Sequence, residues 1–245
     1  MPASSHHQNG PAARRRWLLK LSGQALAAAS GQGIAETALS RLVSQLDLAK
    51  QQGVEVALVL GGGNLIRGAQ LSYLERVTAD RMGMLATVIN ALALQESLRQ
   101  AGLVVRHQSA VPLSWVEGLD PHLARQALQR GELVIFSGGT GSPLVTTDTA
   151  AALRAVEIGA DCLLKATQVD GVYTADPQRD PQARRLEQIS YDEVIRRELG
   201  VMDLAALVIC REYQLSVRVF SAWGPEDNLK RALAGEPVGT LISRS

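Results

Sequence analysis

The chain has 245 residues, of which 46% are apolar but only 4% aromatic, so a core of one large α/β domain must be built from Leu, Val, Ile and Ala. Its 25 basic and 24 acidic residues leave a formal charge of +1, which excludes the broad basic surface of a general nucleic-acid binder. No run approaches the roughly 18 consecutive apolar residues of a membrane helix, and residues 1–13, polar and carrying His6 and His7, lack the apolar segment of a secretory signal and read as a disordered tail.

In chain order, residues 17–22 are apolar apart from Lys20 and end at Gly23, which predicts a buried strand and a tight turn. Leu39, Leu42, Val43, Leu46 and Ala49 recur at helical spacing up to Gly53. Residues 54–60 form a second strand, apolar almost throughout, that runs into Gly61, Gly62 and Gly63. Met82, Leu85, Ala86, Ile89 and Ala93 mark a long helix closed by Gly102, and residue 103 begins a third strand. Pro121 opens a helix that ends near Gly131; residues 133–136 are a fourth strand leading into Gly138, Gly139 and Gly141. A helix over 147–157 precedes a fifth strand at 162–164, with Lys165 at its end. Beyond Asp170 come turn-rich pieces, helices near 192–199 and 204–213, a strand at 217–220, a helix from Pro225 and a last strand at 240–242. Strands alternating with helices predict a mostly parallel central sheet sandwiched by helices. The change of rhythm divides residues 14–245 into a lobe ending at about 160 and a second lobe from about 161. Cys162 and Cys210 lie far apart in apolar runs, as buried thiols of a reducing cytoplasmic compartment do, not as a disulfide or metal ligands.

Three glycine turns follow three predicted strands, at Gly23, at 61–63 and at 138–141. In open parallel sheets ligands sit beyond the carboxyl ends of the strands, and glycine lets backbone amides approach phosphate closely. Two common phosphate motifs fail here. Residues 63–68 have P-loop spacing, but Ala69 and Gln70 stand where a lysine and a hydroxyl are needed. The dinucleotide pattern breaks at Ile66 and again at Leu144. Lys20 inside an apolar strand, Arg67 after the triple glycine, Asp148 at a helix start and Lys165 at the end of the fifth strand are the charged residues near these turns. His107 and His122 lie outside all of these motifs and read as packing or surface residues.

From about residue 17 to 242 the chain resembles the bacterial UMP kinase family of the amino acid kinase superfamily. The resemblance rests on Lys20-Leu21-Ser22-Gly23, on the stretch from Gly61 to Gly68, on Asp80-Arg81-Met82-Gly83-Met84, on Gly139-Thr140-Gly141-Ser142-Pro143 leading to Thr146-Thr147-Asp148, and on residues 165–177. It implies an amino acid kinase-like fold and transfer of a phosphoryl group from ATP, with Mg²⁺, to UMP in pyrimidine nucleotide synthesis. It also implies ATP contacts at Lys20, Leu21, Ser22, Gly23, Gly63, Arg67, Thr167, Tyr173 and Asp176, and no metal bound by the protein itself. The UMP contacts it implies are Gly62, Asp80, Thr140, Gly141, Ser142, Pro143, Leu144, Val145, Thr146 and Thr147. Lys20, Arg67 and Asp148 are the implied catalytic group, in a cytoplasmic homohexamer inhibited by UTP and activated by GTP, with no nucleic-acid or membrane partner. Gln24 stands where many members have Glu, Ser142 where Asn is common and Arg81 where His or Tyr is frequent, and the segment 27–33 is rich in Ala. Two other readings fit the same fold. One is a kinase of an amino acid or carbamate; the other is a nucleotide-binding storage or regulatory assembly without turnover.

Overall fold

The computed structural model describes residues 14–66, 71–175, 180, 182–223 and 227–244. The tail expected over residues 1–13, together with Arg67, Asp176 and Pro225, lies outside the described residues.

The chain runs β1 (Arg16–Leu21), a 3-10 turn (Gly23–Leu26), α1 (Glu36–Gln51), β2 (Glu55–Leu60), α2 (Arg76–Gln100), β3 (Val105–Ser109), β4 (Glu117–Gly118), α3 (Pro121–Gln129) and β5 (Leu133–Ser137). It continues through α4 (Thr147–Ile158), β6 (Cys162–Thr167), β7 (Val172–Tyr173), β8 (Arg185–Leu186), β9 (Gln188–Ser190), α5 (Tyr191–Arg196), α6 (Leu204–Glu212), β10 (Ser216–Ser221), α7 (Asn228–Leu233) and β11 (Thr240–Ser243). Among the described residues the main sheet has nine strands in the order β4-β3-β5-β2-β1-β6-β10-β11-β9. All neighbours pair in parallel except β10 and β11. The sheet is continuous across residue 160, and β7 and β8 form a separate small hairpin.

Strands buried on both faces should be almost wholly apolar; all six positions of β2 are buried, and its one charged residue, Glu55, is paired with Arg16 at 2.6 Å. Side chains alternate between the faces of a strand. Leu19, Leu21, Leu58 and Leu60 therefore join one core, beneath α1, α2 and α7. Leu18, Val59, Phe136 and Leu163 join the other, beneath α3, α4, α5 and α6. Lys20 shares the parity of Leu18, and Lys165 that of Leu163, so both ammoniums emerge on the α4 side of the sheet.

The helices start and stop as their end residues dictate. Asp120 accepts hydrogen bonds from the amides of His122 (2.8 Å) and Leu123 (3.0 Å), with Pro121 opening α3. Thr146 caps α4, which ends at Gly159 in the left-handed conformation. The long helix begins at Arg76, six residues before Met82, and Arg76 and Asp80 pair one turn apart on its surface. By length and apolarity α2 matches a membrane span. It lies instead along the sheet, with Ala91, Leu94 and Leu98 in the core.

Gly239 turns the chain from α7 into β11 at φ +62°, and a Cβ there would stand 2.0 Å from the carbonyl oxygen of Val219. Both the backbone angle and the collision forbid a side chain. Gly239→Ala is expected to cost about 2 kcal/mol, or roughly 5 °C in Tm by thermal unfolding. An unchanged Tm would mean that β11 is not seated against β10 as described.

Candidate active site

The sheet order sets β5, β2, β1 and β6 side by side, so the three glycine turns and Lys165 share one edge. The turns after β1 and β2 touch. The Gly61 amide donates to the Leu21 carbonyl at 2.8 Å, and a Cβ on Gly23 would come within 2.4 Å of Asn64 Oδ1. Only glycine fits there. Leu21 is buried with its side chain in the α1–α2 core, so its place in the motif is a backbone one. Gln24 donates Nε2 to the Gly63 carbonyl at 2.9 Å, a bond that the carboxylate of a Glu could not donate.

Lys20 and Lys165 are paired residues of the adjacent parallel strands β1 and β6. Asp148, at the second position of α4, reaches between them. Its Oδ1 lies 2.8 Å from Lys20 Nζ and its Oδ2 2.5 Å from Lys165 Nζ. Lys165 also donates to the Val201 carbonyl. Burial pushes the Asp148 carboxyl up, but the charges of Lys20 and Lys165 outweigh it and hold the group below the ordinary aspartate value. Burial lowers Lys165, and the Asp148 charge only partly offsets that. The positive end of α4 favours the same carboxylate. One buried anion thus holds two cations and leaves a net positive charge on the sheet edge.

Two clefts flank this cluster. The first, about 290 Å³, lies between α2 and the loop over 139–147. It is lined by Gly62, Gly63, Asp80, Thr140, Ser142, Val145, Thr146 and Thr147; Gly141, Pro143 and Leu144 belong to the loop but not to the lining. Asp80 accepts from Arg76 Nε at 2.9 Å and from the Leu144 amide at 2.8 Å, so it ties the loop to α2. Burial raises the Asp80 carboxyl, but these two donors together hold it below its ordinary value. Thr140 Oγ1 donates to the Ser142 carbonyl at 2.8 Å, which shapes the loop tip.

The second cleft, about 520 Å³, is lined by Lys165, Thr167, Val172 and Tyr173 on one side and by Leu199, Gly200 and Val201 on the other. Tyr173 donates its hydroxyl to Asp170 at 2.7 Å and lines the cleft. Ser22 lies apart, with Thr167, Gln24 and Trp223 around a smaller hollow of about 210 Å³. His107 is buried, bonded to Ser137 and Gln95, and burial lowers it to about 4, so it stands as a neutral packing residue. The Cys162 and Cys210 thiols are buried as well. No group of three His, Cys, Asp or Glu suited to a metal ion occurs among the described residues.

A profile of the amino acid kinase family matches residues 15–221. The uridylate kinase of Methylococcus capsulatus is 48% identical over 233 residues, which is 93% of this chain and 96% of that protein. The chain belongs to the amino acid kinase family. Its fold superposes on the crystal structure of the UMP kinase of Bacillus anthracis with a TM-score of 0.88 at 38% identity, covering 94% of this chain and 96% of that one. The UMP kinase of Ureaplasma parvum gives 0.87 at 32% identity, covering 94% and 99%. The strand order above is therefore that of an amino acid kinase.

One residue of this amino acid kinase escapes motif reading, and another is marked by it without a role. Lys165, which opens the last motif, completes the charge cluster, and the tripeptide Leu163-Leu164-Lys165 repeats Leu18-Leu19-Lys20. Asp203 accepts from the hydroxyls of Thr146 and Thr149 and from the Ala206 amide at 2.8 Å, so it braces the start of α4 while capping α6. It lies 54 residues beyond Thr149, and no local pattern announces that pairing.

Asp148→Asn leaves two buried ammoniums without an anion, and a loss of about 3–5 kcal/mol of stability is expected at pH 7. The Asp148 contribution is complete above the unfolded value of 3.8 and is lost as pH falls through the lower folded value. The gap between wild type and Asp148→Asn in urea unfolding should therefore narrow only as pH falls below the unfolded value of 3.8. A gap that stays constant with pH would place the stability of the cluster elsewhere.

Proposed function

We infer that this chain transfers the terminal phosphoryl group of ATP to the phosphate of UMP, forming UDP and ADP. The observation that carries this is the placement of the Lys20–Asp148–Lys165 cluster between two clefts of different character. The cleft of Thr167 and Tyr173 offers an aromatic ring and apolar walls suited to adenosine. The cleft of Asp80 and the 139–147 loop offers a carboxylate for ribose hydroxyls and backbone amides for a small anionic nucleotide. The uridylate and UMP kinases among its relatives support the same acceptor. The donor side falls mostly after residue 160 and the acceptor side before it, which supports the proposed division into two lobes.

The acceptor phosphate is mostly a dianion at neutral pH, since its second pKa is about 6, and it attacks without a general base. What the protein must supply is alignment and positive charge between two anions. Lys20 and Lys165 face that point from β1 and β6, and the turns at Gly23 and Gly63 present backbone there. Arg67 and Asp176, outside the described residues, keep the ATP-side roles we propose from the resemblance. Both oxygens of Asp148 are taken by lysines, so the residues present fit Mg²⁺ carried by ATP and not a resident metal. When bound, Mg²⁺ neutralises charge on the ATP phosphates. We further propose a cytoplasmic homohexamer inhibited by UTP and activated by GTP. The exposed Leu85 and Ile89 on α2 supply apolar area for subunit contact, and a six-chain mass by light scattering is the expected result.

An ADP-release assay should show turnover with UMP well above that with CMP, acetylglutamate or aspartate. Turnover with acetylglutamate or aspartate instead would move the chain to the amino acid kinases proper, and binding of both nucleotides without UDP would make it a non-catalytic assembly. Lys20→Ala should lower kcat by about 10²–10³ while the protein stays folded. Asp80→Ala should raise KM for UMP by about tenfold with little change for ATP, a loss of roughly 1.4 kcal/mol in acceptor binding. Equal effects on both substrates would remove Asp80 from the acceptor cleft.

A further inference from the structure

The loop after β2 carries the glycines nearest the acceptor cleft, and every carbonyl in its bend is tied to the protein. The Gly61 carbonyl accepts from Asn90 Nδ2 at 2.7 Å. The Gly62 carbonyl accepts from the amides of Leu65 and Ile66, both at 3.0 Å, and the Gly63 carbonyl accepts from Gln24 Nε2. A trans peptide is planar, with its C=O and N–H pointing in opposite directions, and no cis peptide occurs among the described residues. Holding the Gly61 carbonyl against α2 therefore sends the Gly62 N–H the other way. That N–H donates to no group among the described residues, while Gly62 lines the acceptor cleft.

Asn90 is the group that sets this plane. It is fully buried on α2 and does not line either cleft. Its amide also donates to Asn64 Oδ1 at 2.7 Å and accepts from Asn64 Nδ2 at 3.0 Å, and Asn64 in turn donates to the Gly33 carbonyl at 2.7 Å. A buried amide is costly unless satisfied, and here one bond goes to the Gly61 carbonyl and two go to the Asn64 side chain of the same turn. Ordinary helix packing needs no such group.

We propose that Asn90 is a positioning residue for phosphoryl transfer: by fixing the Gly61 carbonyl it aims the Gly62 amide at a phosphate oxygen in the cleft, without touching substrate. This rests on the acceptor-cleft reading above. An amide fixed in advance holds the attacking phosphate in line, and alignment lost after binding shows in kcat more than in KM.

The test compares Asn90→Asp, Asn90→Leu and Asn64→Ala in purified, full-length protein. Asn90→Asp keeps shape and volume but sets a carboxylate against the Gly61 carbonyl. Asn90→Leu removes the bond altogether. Asn64→Ala disturbs the same buried cluster yet leaves Asn90 free to hold Gly61. Both Asn90 variants should lose about 10–100-fold in kcat, with KM for UMP and for ATP within about threefold of wild type, and Asn64→Ala should lose no more than about threefold. Losses in all three variants that follow their Tm values, an Asn90 variant with wild-type kcat, or failure of both Asn90 variants to fold would each overturn the proposal. The wild-type protein in the same assay separates this from the acceptor reading, since absence of UDP there would refute the latter.

Discussion

A single buried carboxylate between two ammoniums organises the sheet edge. Lys20 and Lys165 sit opposite each other on strands that run about 4.8 Å apart. Two like charges brought that close on neighbouring strands repel each other. Asp148 turns that repulsion into two attractions, yet one positive charge remains uncancelled. That surplus is what an ATP phosphate and a second phosphate would meet. The register of β1 with β6, the start of α4 at Thr146 and the anchoring of Lys165 on Val201 all serve to place these three side chains.

The same segment connects the two clefts. Residues 198–201 line the larger cleft, and Asp203, two residues on, holds Thr146 of the smaller one. The hydroxyl of Thr146 accepts from the Asp148 amide at 3.0 Å. A disturbance in either cleft therefore has a short bonded route to the charge cluster. On the other side, Asp80 binds the loop over 139–147 to α2, and Asn90 binds the glycine turn to the same helix. α2 thus anchors both walls of the smaller cleft, while the segment before α6 lines the larger cleft and braces the start of α4.

The strands and helices that position the site were legible because they obey local rules. The almost wholly apolar 54–60 run had to be a central parallel strand, and Pro121, Gly53, Gly102 and Gly131 punctuate helices by their own backbone preferences. The glycine turns were legible as phosphate candidates because β1, β2 and β5 end in them. The short strands β4, β7, β8 and β9 were not legible: with two or three residues each they carry no periodicity, and their pairing comes from distant partners. The fifth strand runs three residues past 164, so Lys165 lies inside β6 instead of ending it. The helix expected over 192–199 closes at Arg196, where Glu198 adopts positive φ. Asp203, Asn64 and Asn90 act through bonds spanning 26 to 57 residues, and such bonds leave no mark in local spacing.

A crystal structure of the protein with UMP and a non-hydrolysable ATP analogue tests the central claim most directly. Both lysine Nζ atoms should lie within about 3 Å of oxygens of the terminal ATP phosphate while Asp148 still joins them. Phosphates seated away from both lysines, with the Asp148 cluster closed and unengaged, would contradict the account.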